Sequence, residues 1–300
     1  RVGNIFSLLL FLLHPAVFLV PFVVIPSTRA LAGVTTYELF PLDRMLAATF
    51  VLNAPVSIVT GLSFVLACRW TAGRERLPVA RVYICEGVGS FTGGVAVTLG
   101  LGMGLPDETL FCGAALTAAV AVALYGAIRG GRPVAAWLVI AAAAGALLTG
   151  MDRRWARSGR RDAWTRLLPA ESFAGSFATP QARYLYGQHR GQFNVIAWES
   201  VVESIPDVEH SSELLALHLA QHPEARTFLV VGHGAFSLCR RLLEWPRTES
   251  VTWLAGDPSY AQRLLDRLPE PLAAGSRRKL LTPAVDVRRY LRAGERTFDV

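Results

Sequence analysis

A chain of 300 residues has room for a membrane domain plus one globular domain, or for two soluble domains. Its hydrophobic share of 52%, its charged share of only 18% and a mean hydropathy of +0.36 favour the first arrangement. The formal charge of +7 does not imply nucleic acid: Lys279 is the only lysine, the arginines gather at the ends of apolar segments, and no basic stripe with interleaved aromatics appears.

The averages hide a split. From Ile5 to Gly150 charges are sparse and apolar runs are long, whereas from Met151 onward charges recur every few residues. Runs of about 18 apolar residues are what a bilayer crossing needs. Five crossings can be drawn: Ile5 to Ile25, Met45 to Cys68, Val79 to Met103, Thr109 to Ile128, and a short, alanine-rich fifth from Val134 to Gly150. Pro15 and Pro21 mark expected kinks in the first. The third carries Gly89 and Gly93, then Gly100 and Gly104, spacings that let helix backbones approach closely. It also carries Glu86, an ionisable group that is a functional candidate by position, or else the partner of Arg81 in an interfacial ion pair. Asn53 in the second segment is a polar candidate too, with a bond to a neighbouring helix as the plainer alternative.

Sidedness is contradictory in the sequence. Arg69, Arg74, Arg76 and Arg81 form one basic cluster, and Arg129 and Arg132 a second cluster two crossings later, so both belong on one side. Arg153, Arg154, Arg157, Arg160 and Arg161 follow one crossing further on. Either the fifth segment does not fully span, or the soluble half lies across the membrane from the other loops. The expectation adopted is a multi-pass protein of the cell membrane with its soluble half in the cytoplasm. Cys68, Cys85, Cys112 and Cys239 stand alone, without the spacing of a metal site.

Residues 151–180 read as a linker, with an interfacial helix around Trp155 to Leu168. Three short runs follow, Ala182 to Tyr186, Gln192 to Trp198 and Ser200 to Ser204, which predict a small antiparallel β-domain over 181–206. Residues 207–300 then read as the start of an α/β domain. A helix spans Glu209 to Gln221; Phe228 to Val231 is an unbroken apolar strand; Gly232, His233 and Gly234 follow at once, and Ala235 to Glu244 is helical. Ser250 to Ala255 is a second strand, closed by Gly256, Asp257 and Pro258, with a helix from Ser259 to Leu268. Lys279 to Thr282 predicts a third strand, Val285 to Leu291 a third helix, and Thr297 onward a fourth strand. Such alternation implies parallel strands, and ligands of such sheets bind beyond the carboxyl ends of the strands. Gly232 and Gly234 would lie at that rim, where glycine permits a tight turn and close approach of a ligand. Asp257 is placed either to meet ribose hydroxyls or to cap the next helix, and Asp286 either to accept an adenine amino group or to cap its own helix.

At these residues the chain resembles the spermidine synthase family, in particular its membrane-anchored bacterial members with N-terminal transmembrane helices. Thr179 to Tyr184 (TPQARY) resembles the family's entry strand, and Leu229 to Phe236 (LVVGHGAF) stands where the family has a G-G-G-D-G loop. Val251 to Pro258 (VTWLAGDP) stands for the second strand and its acidic turn, and Val285 to Leu291 (VDVRRYL) for a D-x-x-x-[FY]-[LV] segment. Asn53 to Pro55 and Arg81 to Ser90 are similar to recurrent pieces of the membrane region. The resemblance implies a polytopic helical membrane domain, a small β-domain and a Rossmann-like, class I methyltransferase-like domain truncated at its C-terminus. It also implies transfer of an aminopropyl group from decarboxylated S-adenosylmethionine to a polyamine, with no metal. Its cofactor residues would be Gly232, His233, Gly234, Asp257 and Asp286, and Glu213 would contribute to the amine site. The catalytic aspartate would lie beyond Val300.

The departures are specific. Ala235 replaces the loop aspartate, His233 its second glycine and Phe236 its last; Ala255 stands where a ribose-binding glutamate belongs; and Ser211, Ser212 and Glu213 replace Tyr-His-Glu. Three readings therefore stay open: a transferase with an altered donor site using decarboxylated or ordinary S-adenosylmethionine, an inactive nucleotide-sensing or scaffold protein, and a transporter with a regulatory soluble domain.

Overall fold

The computed structural model describes residues 2–34, 39–72, 76–128, 134–294 and 297–300. The basic positions Arg74, Arg129 and Arg132 lie outside the described residues. The chain divides into two compact units, Arg1–Gly159 and Arg160–Val300.

The first unit is helical: α1 (Val2–Val24), α2 (Thr28–Leu31), α3 (Leu42–Thr71), α4 (Pro78–Gly102), α5 (Asp107–Ile128), α6 (Val134–Thr149) and the start of α7 (Met151–Thr165). Three of these, α3, α4 and α5, are long and apolar enough to cross a membrane. Pro15 and Pro21 sit inside α1 without ending it. The fifth expected crossing is a different object. α6 has only 16 residues and turns through 72° into α7, with Gly150 at φ +67° in the bend. Together the pair passes as one broken span or a re-entrant segment.

The glycine spacings of α4 are used unevenly. A Cβ added at Gly89 or Gly93 meets nothing within 4 Å, so no helix of the described unit packs there. At Gly100 an added Cβ would lie 2.6 Å from Leu110 Cδ2, so that glycine does admit the start of α5. Most of α4 presents bare apolar side chains, among them Tyr83, Val88, Phe91 and Leu99. A soluble monomer does not leave so continuous an apolar surface uncovered; lipid removes the conflict.

The second unit holds two sheets. β1 (Phe173–Ala178), β2 (Arg183–His189), β3 (Gln192–Ala197) and β4 (Ser200–Ile205) form an antiparallel meander. β1 falls within the stretch expected to be linker. Both β2–β3 and β3–β4 turns are two residues long with positive φ at each (Arg190 and Gly191, Trp198 and Glu199), the geometry that matches strand twist. After α8 (Val208–Gln221), capped by Asp207, come β5 (Thr227–Val231), α9 (Phe236–Glu244), β6 (Ser250–Leu254), α10 (Tyr260–Leu265), α11 (Ala274–Lys279), β7 (Leu280–Leu281) and α12 (Val287–Ala293). β5, β6 and β7 are parallel and adjacent in that order. The third strand is shorter than expected because α11 occupies the residues up to Lys279.

The far side of β5 is also taken. Leu229 N–H donates to Val300 O at 2.8 Å and Val300 N–H to Thr227 O at 3.4 Å, the alternation of a parallel neighbour. Asp299 anchors this segment by accepting from the N–H groups of Arg226 and Thr227 and from the Thr227 hydroxyl, which lowers its pKa. β5 is thus flanked on both sides, and the chain reverses its direction of travel across the sheet at β5, the position where such sheets open a crevice. The core beneath is continuous across both sheets, with Phe228, Val251, Trp253, Tyr184 and Tyr260 almost fully enclosed.

Candidate functional site

The glycine loop lies where the sequence places it, between β5 and α9. Gly232 and Gly234 adopt φ of +122° and +73°, so both need glycine's freedom. Gly232 N–H donates to Leu254 O, and the Trp253 indole N–H donates back to Gly232 O, each at 2.9 Å. Those two bonds fix the loop on the carboxyl end of β6.

The next two donors of the loop face a side chain that sequence reading had not singled out. Glu203, on β4, is 2% exposed. Its Oε2 accepts from Gly234 N–H and its Oε1 from Phe236 N–H, both at 3.0 Å, and the Tyr260 hydroxyl adds a longer bond of 3.4 Å to Oε2. α9 has no capping side chain of its own at Ala235. Glu203 therefore serves as its N-terminal acceptor from a distant strand, in the field of the helix dipole. The N–H bonds favour the charged form, but burial outweighs them, and with repulsion from Asp207 the carboxyl is pushed up to about 8. A signal for Glu203 existed in the sequence: in a strand it shares a face with Val201 and Ile205, so period-two alternation aims an acid inward.

His233 brings an imidazole into the loop, and an aromatic shell surrounds it. The ring packs 4.8 Å from Tyr260, 5.4 Å from Trp198 and 6.0 Å from Tyr184. Across from it is Gly256, where a Cβ would come within 3.1 Å of the ring. Tyr184 OH lies 3.2 Å from His233 Nε2 and donates to Asp257 Oδ2 at 3.1 Å. Burial lowers the His233 pKa against the opposing pull of Asp257, and burial with Asp257 raises that of Tyr184.

Asp257 is 1% exposed and both its oxygens are engaged. Besides Tyr184, the Thr179 hydroxyl donates to Oδ2, and Ser259 N–H donates to Oδ1 at 3.0 Å. The structure thus uses Asp257 to close the turn before α10 and to tie it to β2. Asp286 caps α12, accepting from Arg288 and Arg289 N–H at 2.9 and 3.2 Å, and is exposed. Glu213 is exposed on α8 and makes no hydrogen bond to the loop among the described residues. Of the expected residues, Gly232, His233, Gly234 and Asp257 come together, while Asp286 and Glu213 do not join their hydrogen-bond network.

In the helical unit, Glu86 is exposed on α4 and forms no ion pair with Arg81 among the described residues, so the expected interfacial pair is absent there. Asn53 donates to Thr49 O at 2.8 Å, a bond within its own helix rather than to a neighbour. Compared with protein-family models and with curated proteins, the chain matches none.

Proposed function

We propose that the chain is a membrane-embedded, spermidine synthase-like protein whose Rossmann-like domain has lost donor binding and works as a non-catalytic scaffold. The Rossmann-like assignment draws support from the parallel order of β7, β6 and β5 with residues 297–300 on the far side of β5, and from the glycine loop at the rim of β5. The observation that carries the functional reading is the occupation of that loop by Glu203. A donor such as decarboxylated or ordinary S-adenosylmethionine would need the donors of Gly234 and Phe236 and the space of the His233 ring, and the buried Glu203 carboxyl would be left unpartnered if displaced. Asp257, the remaining acid at the rim, is engaged on both oxygens. The multi-pass placement rests on α3, α4 and α5. A cytoplasmic α/β unit goes with a re-entrant α6–α7 pair, which keeps that unit on the side of Arg69, Arg76 and Arg81.

Calorimetry of the full chain in detergent with decarboxylated and with ordinary S-adenosylmethionine tests this reading. No saturable heat is expected with either donor. Tight binding of a donor, with aminopropyl transfer to putrescine, would restore the transferase reading. For transport, the polar candidates Glu86 and Asn53 offer no support, one standing exposed and the other bonded to its own helix.

A further inference from the structure

The helical unit buries two acids that each keep one oxygen unmet among the described residues. Glu108 is the second residue of α5 and Asp152 the second of α7. They are 9% and 3% exposed, and Glu108 Oε2 and Asp152 Oδ1 are both enclosed without a hydrogen-bond partner among the described residues. The 72° turn at Gly150 folds the start of α7 onto the start of α5, where the Thr109 hydroxyl donates to the other oxygen of Asp152. Both carboxylates bear electrostatically on Cys112, one turn further along α5 from Glu108. An aromatic cluster lies one turn along each helix: Trp155 and Phe111 each pack 5.4 Å from Phe22 of α1. The acids therefore sit beside apolar rings, not in water.

Two buried acids in such surroundings need positive charge, because an uncompensated buried charge is strongly destabilising. No arginine is salt-bridged to either acid among the described residues. Each carboxylate stands at a helix N-terminus, which supplies about half a positive charge. Asp107 shares the α5 terminus but has a partner of its own, so for the two buried acids the termini offset about one negative charge and leave about one. The remaining deficit is that of a single monovalent ion. The donor set excludes the softer metals. It is all oxygen, and no group of three His, Cys, Asp or Glu able to hold a metal occurs among the described residues, so a transition metal is not the fitting ligand. We propose that Glu108, Asp152 and Thr109 form a site for a monovalent, oxygen-seeking cation, sodium or potassium. The ion pins the start of α7 to α5 and so sets the angle of the α6–α7 bend. The proposal is independent of the reading of the glycine loop.

The test is equilibrium binding of radioactive sodium to the full chain in detergent, with chloride salts of potassium, calcium and N-methylglucamine as competitors at constant ionic strength. Saturable binding is expected, displaced by unlabelled sodium or by potassium and untouched by N-methylglucamine; which alkali ion competes better identifies the natural occupant. Glu108→Gln and Asp152→Asn should each weaken it about tenfold or more, the loss of one charge-assisted contact. Thr109→Val, of similar volume, should weaken it less. Should an acid variant fail to fold, the unsubstituted chain still decides: its thermal midpoint should rise with sodium or potassium chloride and not with N-methylglucamine chloride. Absence of saturable binding together with equal midpoints in all the salts overturns the proposal. So does binding unchanged in the folded acid variants, or calcium displacing sodium at concentrations below those of sodium itself.

Discussion

In the α/β unit every oxygen of the buried acids Glu203 and Asp257 meets a donor, whereas in the helical unit Glu108 and Asp152 each keep one oxygen without any among the described residues. The same contrast runs through the apolar residues. Trp253 and Tyr260 are fully enclosed, while Phe91 and Tyr83 on α4 are more than two-thirds bare. The α/β unit meets its buried acids internally and leaves only the neutral atoms Trp245 Nε1 and Thr252 Oγ1 unmatched among the described residues, whereas the helical unit leaves both apolar surface and carboxylate oxygens unmet. The lesson is that burial has to be judged against the solvent each unit meets: water demands a closed core, lipid tolerates a bare helix, and an orphan carboxylate oxygen calls for an explanation.

The sharpest way to break this comparison is to cut into the closed core. Trp253→Ala removes a fully buried indole and its bond to Gly232 O, and should destabilise the α/β unit by about 4 kcal/mol. Hydrogen exchange of the full chain in detergent should show the loss in β5 and β6 and leave α3 to α5 unchanged. Next in size is a paired substitution of exposed apolar residues. Phe91→Asp, near the middle of α4, should cost membrane insertion about 3 kcal/mol, whereas Leu217→Asp on α8 should stay within about 0.5 kcal/mol. Equal membrane retention of the two variants would refute a lipid-facing α4.

Glu203→Ala leaves the N–H groups of Gly234 and Phe236 unsatisfied and should cost about 2 kcal/mol. The pH dependence is more telling. Glu203 ionises near 8 in the fold against an ordinary 4.5, so the folded chain holds a proton that the unfolded chain has released. Its contribution to stability is therefore fully present below about 4.5 and is lost as pH rises to about 8. Glu203→Gln should flatten the unfolding midpoint across that interval; an unaltered profile would show that the carboxyl is not the titrating group. Smallest is Asp286→Ala, which removes an exposed helix cap and should cost about 1 kcal/mol without altering the glycine loop.

The elements of the α/β unit were largely legible because their signals are local. The apolar run at Phe228 to Val231, the two glycines after it and the turn at Asp257 each mark an element boundary by their own chemistry. β1 was hidden because its residues Ala174, Gly175, Ser176 and Ala178 are small and carry little alternation; its pairing with β2 is what makes it a strand. Asp257 and Asp286 each had two readings in sequence, a ligand contact or a cap, and coordinates were needed to show Asp257 closing the turn before α10 and Asp286 capping α12. Glu203 lay in plain view in an apolar strand, but its meaning depends on partners 31 and 33 residues away.

What the sequence by itself determined is the division of the chain: hydropathy separates an apolar helical half from a charged half, and apolar period with turn residues orders strands and helices within the second. Which acids are filled and which are orphaned was decided only by tertiary structure. A carboxylate's partners come from segments far apart in the chain, Thr179 for Asp257 and Thr109 for Asp152, and only folding brings those donors to within bonding distance. Desolvation, which makes an unmet oxygen costly, is likewise a property of the packed surroundings and not of the residue.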